Sequence, residues 1–320
     1  MATFSYDLKI ELCKQKCEDL TSALSLLSGI IKTCGEIRLQ NRSWVIVIST
    51  EIKELYDKVN ELLKLLYSTT ATINEDSENV FNRNRFEIVF PINLSEKILV
   101  DTEVMFYDED KDLCLSDGIS RYMVEETEQM RAYLKGATLG CFTSNITINE
   151  EKLAKTNGYH IEYVFSSDKL AQDFSELLSQ YDIISKKVER KNSFVVYVKD
   201  FEQICYLLEI LQVPVSYLAL KNENTMREVR NQVNRQNNCI IGNSTKTVNA
   251  SVKQLEAIKI IENSIGIEKL EEPLQQVCYL RIANPEESLD NLVKLSFNKI
   301  TKSGLYHRFQ KLIKIADELK

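Results

Sequence analysis

The chain has 320 residues, 44% hydrophobic and 27% charged, with a net charge of −7. That composition supports an ordinary folded core and excludes general disorder, while the acidic sum argues against indiscriminate polyanion binding. No segment reaches the ~20 apolar residues of a membrane span, and Met1–Asp7 lacks a signal-peptide layout, so a cytoplasmic location without membrane contact is expected.

Gly and Pro are scarce, at nine and four, so helices and strands should dominate. Cys17–Ile31 reads as an apolar helix, Glu36–Leu39 and Trp44–Ile48 as paired strands, and Glu51–Tyr67 as a helix with Ile52, Leu55, Tyr56, Val59, Leu62, Leu63 and Leu66 at helical spacing. Phe86–Phe90 is a further strand. The pattern then recurs: helix Glu126–Leu139, strands Thr143–Ile148 and Tyr159–Phe165, helix Asp168–Tyr181 opening on an Asp cap, hairpin Ile183–Glu189 and Ser193–Val198, and helix Phe201–Leu211. Helix–strand–strand–helix–strand–strand–helix therefore occurs twice. Eight asparagines between Asn222 and Asn249 mark a polar connector, partly helical around Met226–Val233. Val252–Leu319 has the periodicity of a small all-α domain. The expected division is residues 1–221 (repeats about 1–122 and 123–221), a linker 222–253 and a helical domain 254–320.

Eight cysteines are scattered without a CxxC pair, and only His160 and His307 could supply imidazole. Cys13 and Cys17 lie one helical turn apart, but no second pair completes a zinc site. They read as reduced thiols, and no metal or cofactor is expected. His160 and Glu162 share one face of a strand and read as a polar pair.

Charge is unevenly distributed. No acid lies between Lys294 and Asp317, a stretch holding Lys299, Lys302, Arg308, Lys311 and Lys314. Between Thr225 and Gln254 only Glu228 stands against Arg227, Arg230, Arg235, Lys246 and Lys253. A short helix from Ser288–Leu289 should turn Leu289, Leu292 and Leu295 inward, with a break at Ser296–Lys299. Thr301 then caps a helix with an apolar stripe of Leu305, Phe309, Leu312, Ala316 and Leu319. Lys302, Ser303, Tyr306, His307, Gln310 and Lys314 fall largely on other faces. This is the layout of a recognition helix, anchored on one side and presenting donors to base edges on the other. Its expected DNA contacts are Lys299, Thr301, Lys302, Ser303, Tyr306, His307, Arg308, Gln310, Lys311 and Lys314. Arg227, Arg230, Asn231, Asn234, Arg235 and Lys246 are candidate contacts to the DNA backbone.

Leu27-Ser28-Gly29-Ile30-Ile31-Lys32-Thr33-Cys34-Gly35 resembles the LAGLIDADG motif of homing endonucleases. In that family two such helices pack through small residues, and a carboxylate near each helix end binds a divalent metal for phosphodiester cleavage. Here the acid position is Cys34; in Leu134–Phe142 it is Cys141, with Gly136 in the place of Gly29. Neither thiol is a hard oxygen ligand, so the scaffold is expected without the chemistry. The whole sequence is similar to the WhiA family of bacterial regulators. The likeness is carried by Tyr133–Ala137, Tyr159–Glu162, Val196–Lys199, Arg230–Arg235, Asn238-Cys239, Lys246-Thr247, Arg281, Pro285–Leu289 and Thr301–Arg308, in family order.

The resemblance implies an α+β fold of two degenerate LAGLIDADG-type αββαββα repeats followed by an all-α helix-turn-helix domain. It implies sequence-specific binding of double-stranded DNA linked to transcription, cell division and chromosome segregation, and to sporulation in sporulating relatives. Transcription or cell-division proteins would be partners, the nucleoid the place of work, and no small-molecule substrate is expected. The family carries a Gly-Gly pair near Cys141-Phe142, and the large Phe142 bears against close approach to DNA at that helix end. The competing readings are a metal-dependent nuclease using carboxylates outside the motif, such as Glu36, and an RNA-binding module, for which no aromatic stacking pattern stands out.

Overall fold

Asp19 opens the first motif helix by accepting a hydrogen bond from Ser22 N at 2.8 Å, which satisfies an otherwise orphaned first-turn amide. Helix α2 (Leu20–Cys34) then buries Ala23, Leu26, Leu27, Ile30 and Ile31 along one side. Its counterpart α5 (Thr127–Cys141) starts with a reciprocal capping box between Glu126 and Gln129. The two helices cross at Gly29 and Gly136, whose Cα atoms face each other. A Cβ on Gly29 would stand only 3.2 Å from Gly136 Cα. Small residues are needed there because nothing larger fits between the two backbones.

The computed structural model describes residues 3–40, 42–76, 85–148, 158–296 and 299–319. It divides into two units, Met1–Thr225 and Met226–Lys320. In the first, α2 is followed by β1 (Gly35–Gln40), β2 (Ser43–Thr50), α3 (Glu54–Tyr67), β3 (Thr72–Asp76), β4 (Arg85–Val89) and α4 (Ile92–Asp101). Helix α5 is followed by β7 (Phe142–Ser144), β8 (Ile161–Phe165), α6 (Asp168–Ser179), β9 (Lys186–Arg190), β10 (Ser193–Val198) and α7 (Phe201–Ile210). The two antiparallel sheets have the orders β1-β2-β4-β3 and β7-β8-β10-β9. Each outer hairpin thus lies against the inner one in the same way, and the αββαββα unit is repeated in three dimensions. The hairpin β5 (Met105–Tyr107) and β6 (Leu113–Leu115) stands between the repeats, and α1 (Phe4–Cys13) precedes them. One continuous core unites α1, both motif helices and the inner faces of both four-stranded sheets.

Several boundaries differ from the sequence expectation. Helix α1, strand β3, helix α4 and the β5–β6 hairpin were not anticipated. The strand expected over Thr143–Ile148 ends at Ser144, and Ser167 rather than Asp168 caps α6, its hydroxyl accepting from Leu170 N at 3.3 Å. Asp168 instead sits in the first turn, where the helix dipole favours it. The largest difference is the Asn-rich connector, which is helical throughout. Helix α8 runs from Pro214 to Ser264, 51 residues, and the division between units falls within it. Pro214 occupies a start position where no amide donor is required, and no proline follows to interrupt propagation. At this start Glu11 accepts from Val215 N and Ser216 N, each at 2.8 Å.

The second unit adds α9 (Glu272–Ala283), α10 (Leu289–Leu295) and α11 (Lys302–Glu318) to the end of α8. Ile258, Ile261, Val277, Cys278, Leu292, Leu305, Phe309 and Leu312 form its separate core. Arg281, 1% exposed, lies inside this core. It donates to Gln254 Oε1 (2.9 Å), Asn284 O (3.2 Å) and Glu287 O (2.6 Å), and its guanidinium lies 5.3 Å from the Phe309 ring centre. One buried cation therefore ties α8, the turn before α10, and α11 together. Leu292 is buried as expected, but Leu295 is exposed. Residues 297 and 298 of the expected break lie outside the described residues.

Candidate nucleic-acid interface

Thr301 caps α11, its hydroxyl accepting from Gly304 N at 3.1 Å. Leu305, Phe309, Leu312 and Ala316 are buried in one stripe. That burial fixes the helix rotation and turns Lys302, Ser303, Tyr306, His307, Gln310, Lys311 and Lys314 to solvent, with Lys299 and Thr301 exposed just before the helix. Arg308 is half-buried. Tyr306 is 50% exposed and meets the His307 ring edge-on, at 5.9 Å between centres. The expected contact residues thus share one accessible surface led by the helix N-terminus, which presents free amides and a positive dipole to an anion.

Chain folding brings acids that the local sequence lacks. Lys302 pairs with Asp290 at 2.6 Å and Lys311 with Glu271 at 2.9 Å. Both pairs are exposed, where an ion pair is worth ~0–1 kcal/mol, so a phosphate can displace either carboxylate. On α8 the helical period places Arg227, Arg230, Asn231 and Asn234 in one stripe, with Arg235 and Lys246 at its edge. Arg227 and Arg230 are half-buried and the other four are exposed. The charge imbalance follows the fold. Met226–Lys320 carries 15 Lys and Arg against 11 Asp and Glu, a net +4, which leaves −11 for Met1–Thr225.

Cys34 and Cys141 are the last residues of α2 and α5. Their thiols point back along their own helices, to Ile30 O at 3.2 Å and Ala137 O at 3.4 Å. Burial pushes both thiols up to about 12. The nearby amine of Lys9, from α1, is itself lowered by burial. Lys9, Cys34 and Gly140 line a cavity of about 280 Å³ beside these helix ends. Protonated thiols beside an amine are the reverse of the anionic oxygens that Mg²⁺ requires. Among the described residues no group of three or more His, Cys, Asp or Glu is arranged to hold a metal. Glu36 is exposed on β1, and its carboxylate is bound by Arg38 at 2.6 Å, which holds it below its ordinary range. Phe142 is buried and packs edge-on against Tyr163, at 5.4 Å between ring centres. Its bulk fills the core rather than standing at the helix end, so it does not bear on approach there. His160 and Glu162 form the expected polar pair at 2.6 Å, and Arg190 closes on the same carboxylate at 2.9 Å.

Two paired motif helices at the centre of duplicated αββαββα units, with a separate helix-turn-helix unit, define a protein with a LAGLIDADG-like scaffold joined to a helix-turn-helix domain. Three sequence families match in chain order: the WhiA N-terminal LAGLIDADG-like domain at residues 21–105, the WhiA LAGLIDADG-like domain at 130–230 and the WhiA C-terminal HTH domain at 233–316. The chain belongs to the WhiA family. It is similar to the probable cell division protein WhiA of Clostridium acetobutylicum, at 35% identity over 99% of this chain and 98% of that protein. The corresponding protein of Clostridium botulinum is 36% identical over 99% of both chains. The crystal structure of full-length WhiA from Thermatoga maritima matches 99% of this chain and 98% of its own, with a TM-score of 0.56 and 24% identity, which supports the fold.

Proposed function

We propose that the chain is a non-catalytic, sequence-specific binder of double-stranded DNA that acts as a regulator, with α11 as its reading helix. The observation that carries this reading is the exposed, capped, donor-rich face of α11 in the unit of net charge +4, while the LAGLIDADG-like unit carries −11. Phosphate neutralisation supplies affinity and base-edge donors supply preference. In this reading Ser303, Tyr306, His307 and Gln310 face base edges. Lys299, Thr301, Lys302, Arg308, Lys311 and Lys314 meet phosphates, joined by Arg227, Arg230, Asn231, Asn234, Arg235 and Lys246 on α8. The relatives' designation as probable cell division proteins supports a role in cell division, with transcription control and chromosome segregation as its proposed means and the nucleoid as its place. The protonated thiols at Cys34 and Cys141 support the absence of nuclease chemistry.

The test is a binding titration at several salt concentrations on a selected duplex and on random duplexes. Tyr306→Ala with His307→Ala should lose ~1–3 kcal/mol of discrimination per base contact. Arg227→Gln, Arg230→Gln and Arg235→Gln together should weaken all duplexes alike and reduce the salt slope by about one unit per lost phosphate contact. Loss of sequence preference in the α8 variant alone would place the reading head on α8 and refute the assignment.

A further inference from the structure

At the opposite ends of the motif helices from Cys34 and Cys141, a cavity of about 200 Å³ opens beside the first turns of α2 and α5. Its walls include Lys58 of α3, Arg131 and Lys135 of α5, Gln15, and Gln212. Lys58 is 2% exposed and donates to Gln15 O and to Glu61 Oε1. Lys135 donates to Gln212 Oε1 at 2.8 Å. The acids that line the cavity, Glu18, Asp19 and Glu128, are exposed at its rim. Asp19 is committed to the α2 cap, and Glu128 holds one end of the Arg131 guanidinium at 2.5 Å.

Two buried polar atoms at this cavity have no hydrogen-bond partner: Arg131 Nε, a donor, and Gln15 Oε1, an acceptor. The Gln15 amide orientation is fixed, because its nitrogen already donates to Leu211 O and Gln212 O at 3.1 and 2.8 Å. Leaving such atoms unmet is costly, because each has given up water and gained no partner. Three partly desolvated cations also press on one another. Lys135 is lowered to about 8, chiefly by burial and then by Arg131, with Glu128 pulling the other way and Lys58 adding a smaller push. Glu61 and Glu128 answer Lys58 and Arg131, whereas Lys135 meets only a neutral amide oxygen.

We propose that this cavity is a binding site for a small phosphate-bearing anion, held by Arg131, Lys135 and Lys58, with its own O–H donated to Gln15 Oε1. Hydrogen phosphate and singly protonated phosphomonoesters have this complement of several acceptor oxygens and one donor. The ligand is a soluble small anion rather than nucleic-acid backbone. The surrounding unit carries −11 and repels a polyanion, whereas a small ion can reach the amines and guanidinium that line the cavity. This site lies within Met1–Thr225 and does not depend on the reading given to α11.

The experiment is amine labelling of the full-length protein with acetic anhydride across pH 7–10, read residue by residue by peptide mass spectrometry. Inorganic phosphate is compared with chloride at equal ionic strength. An anion within ~4–6 Å raises an amine by ~1–3 pKa units, so phosphate should lower the labelling rate of Lys135 about tenfold near pH 8. Arg131→Gln should abolish that protection. Lys135 labelling that is unchanged by phosphate overturns the proposal, even if lysines of α11 are protected. So does protection that survives Arg131→Gln, or protection given by duplex DNA and not by phosphate. The wild-type arm decides even if the variant is poorly folded.

Discussion

Replacing Gly29 with alanine should destabilise the protein, although alanine is the better helix former. An added Cβ would stand 2.6 Å from Tyr133 O and 3.0 Å from Ala137 N, both backbone atoms of α5. Ordinary contact begins near 3.4 Å, so the helices must part by about 0.8 Å, the shortfall to Tyr133 O. A gap of ~0.5–1 Å forfeits a quarter to a half of a dispersion contact worth ~0.1–0.2 kcal/mol. Leu26, Ile30, Tyr133 and Ala137 are buried beside the crossing. At ~40–60 contacts per buried side chain, with a quarter of them across the crossing, the loss is ~2–3 kcal/mol. Helix propensity returns ~1 kcal/mol, leaving a net cost of ~1–2 kcal/mol. At ~2–4 °C per kcal/mol for a unit of this size, Tm falls by about 2–8 °C. Gly242→Ala is the internal control: it is also helical, nothing lies within 4 Å of its added Cβ, and it should stabilise by up to ~1 kcal/mol. Urea and thermal unfolding of both variants give the two signs. A Gly29→Ala protein as stable as the parent would refute the close backbone crossing.

Arg281→Leu should cost ~1–3 kcal/mol, because Gln254 Oε1 loses its donor in a buried site and Asn284 O and Glu287 O lose theirs in half-buried ones. A urea midpoint within error of the parent's would show that the arginine does not organise the unit. Iodoacetamide at pH 8 should modify exposed Cys239 first, the half-buried and protonated Cys34 slowly, and buried Cys141 only when the chain unfolds. Rapid modification of either helix-end thiol would contradict its placement. These two thiols rise from 9.0 to about 12 on folding, so their stabilising contribution is complete below pH 9 and is lost as the pH climbs towards 12. Cys34→Ala with Cys141→Ala should therefore lessen the fall in Tm above pH 9. Pure protein with supercoiled plasmid and Mg²⁺ or Mn²⁺ should leave the plasmid intact; metal-dependent nicking that co-purifies with the chain would restore the nuclease reading.

The sequence by itself determined what is local. Apolar spacing in Leu20–Cys34 and Glu54–Tyr67 and alternation in Ile161–Phe165 specify those elements, since burial on one face imposes a period of 3.6 or 2. The Thr301 cap and the Leu305–Phe309–Leu312–Ala316 stripe likewise fixed which face of α11 meets solvent. Strand β3 escaped because Thr72–Asp76 has little apolar pattern of its own and is held by pairing with β4. The Asn-rich stretch was misread because asparagine favours turns in isolation, whereas cooperative propagation carries α8 through it. The tertiary structure alone decided which charges meet. Asp290 reaches Lys302 across 12 positions and Glu271 reaches Lys311 across 40. It also turned Phe142 inward and gathered Lys58, Arg131 and Lys135 around one cavity. Electrostatic neighbours depend on distance through space, and no periodicity along the chain encodes that distance until the helices have crossed.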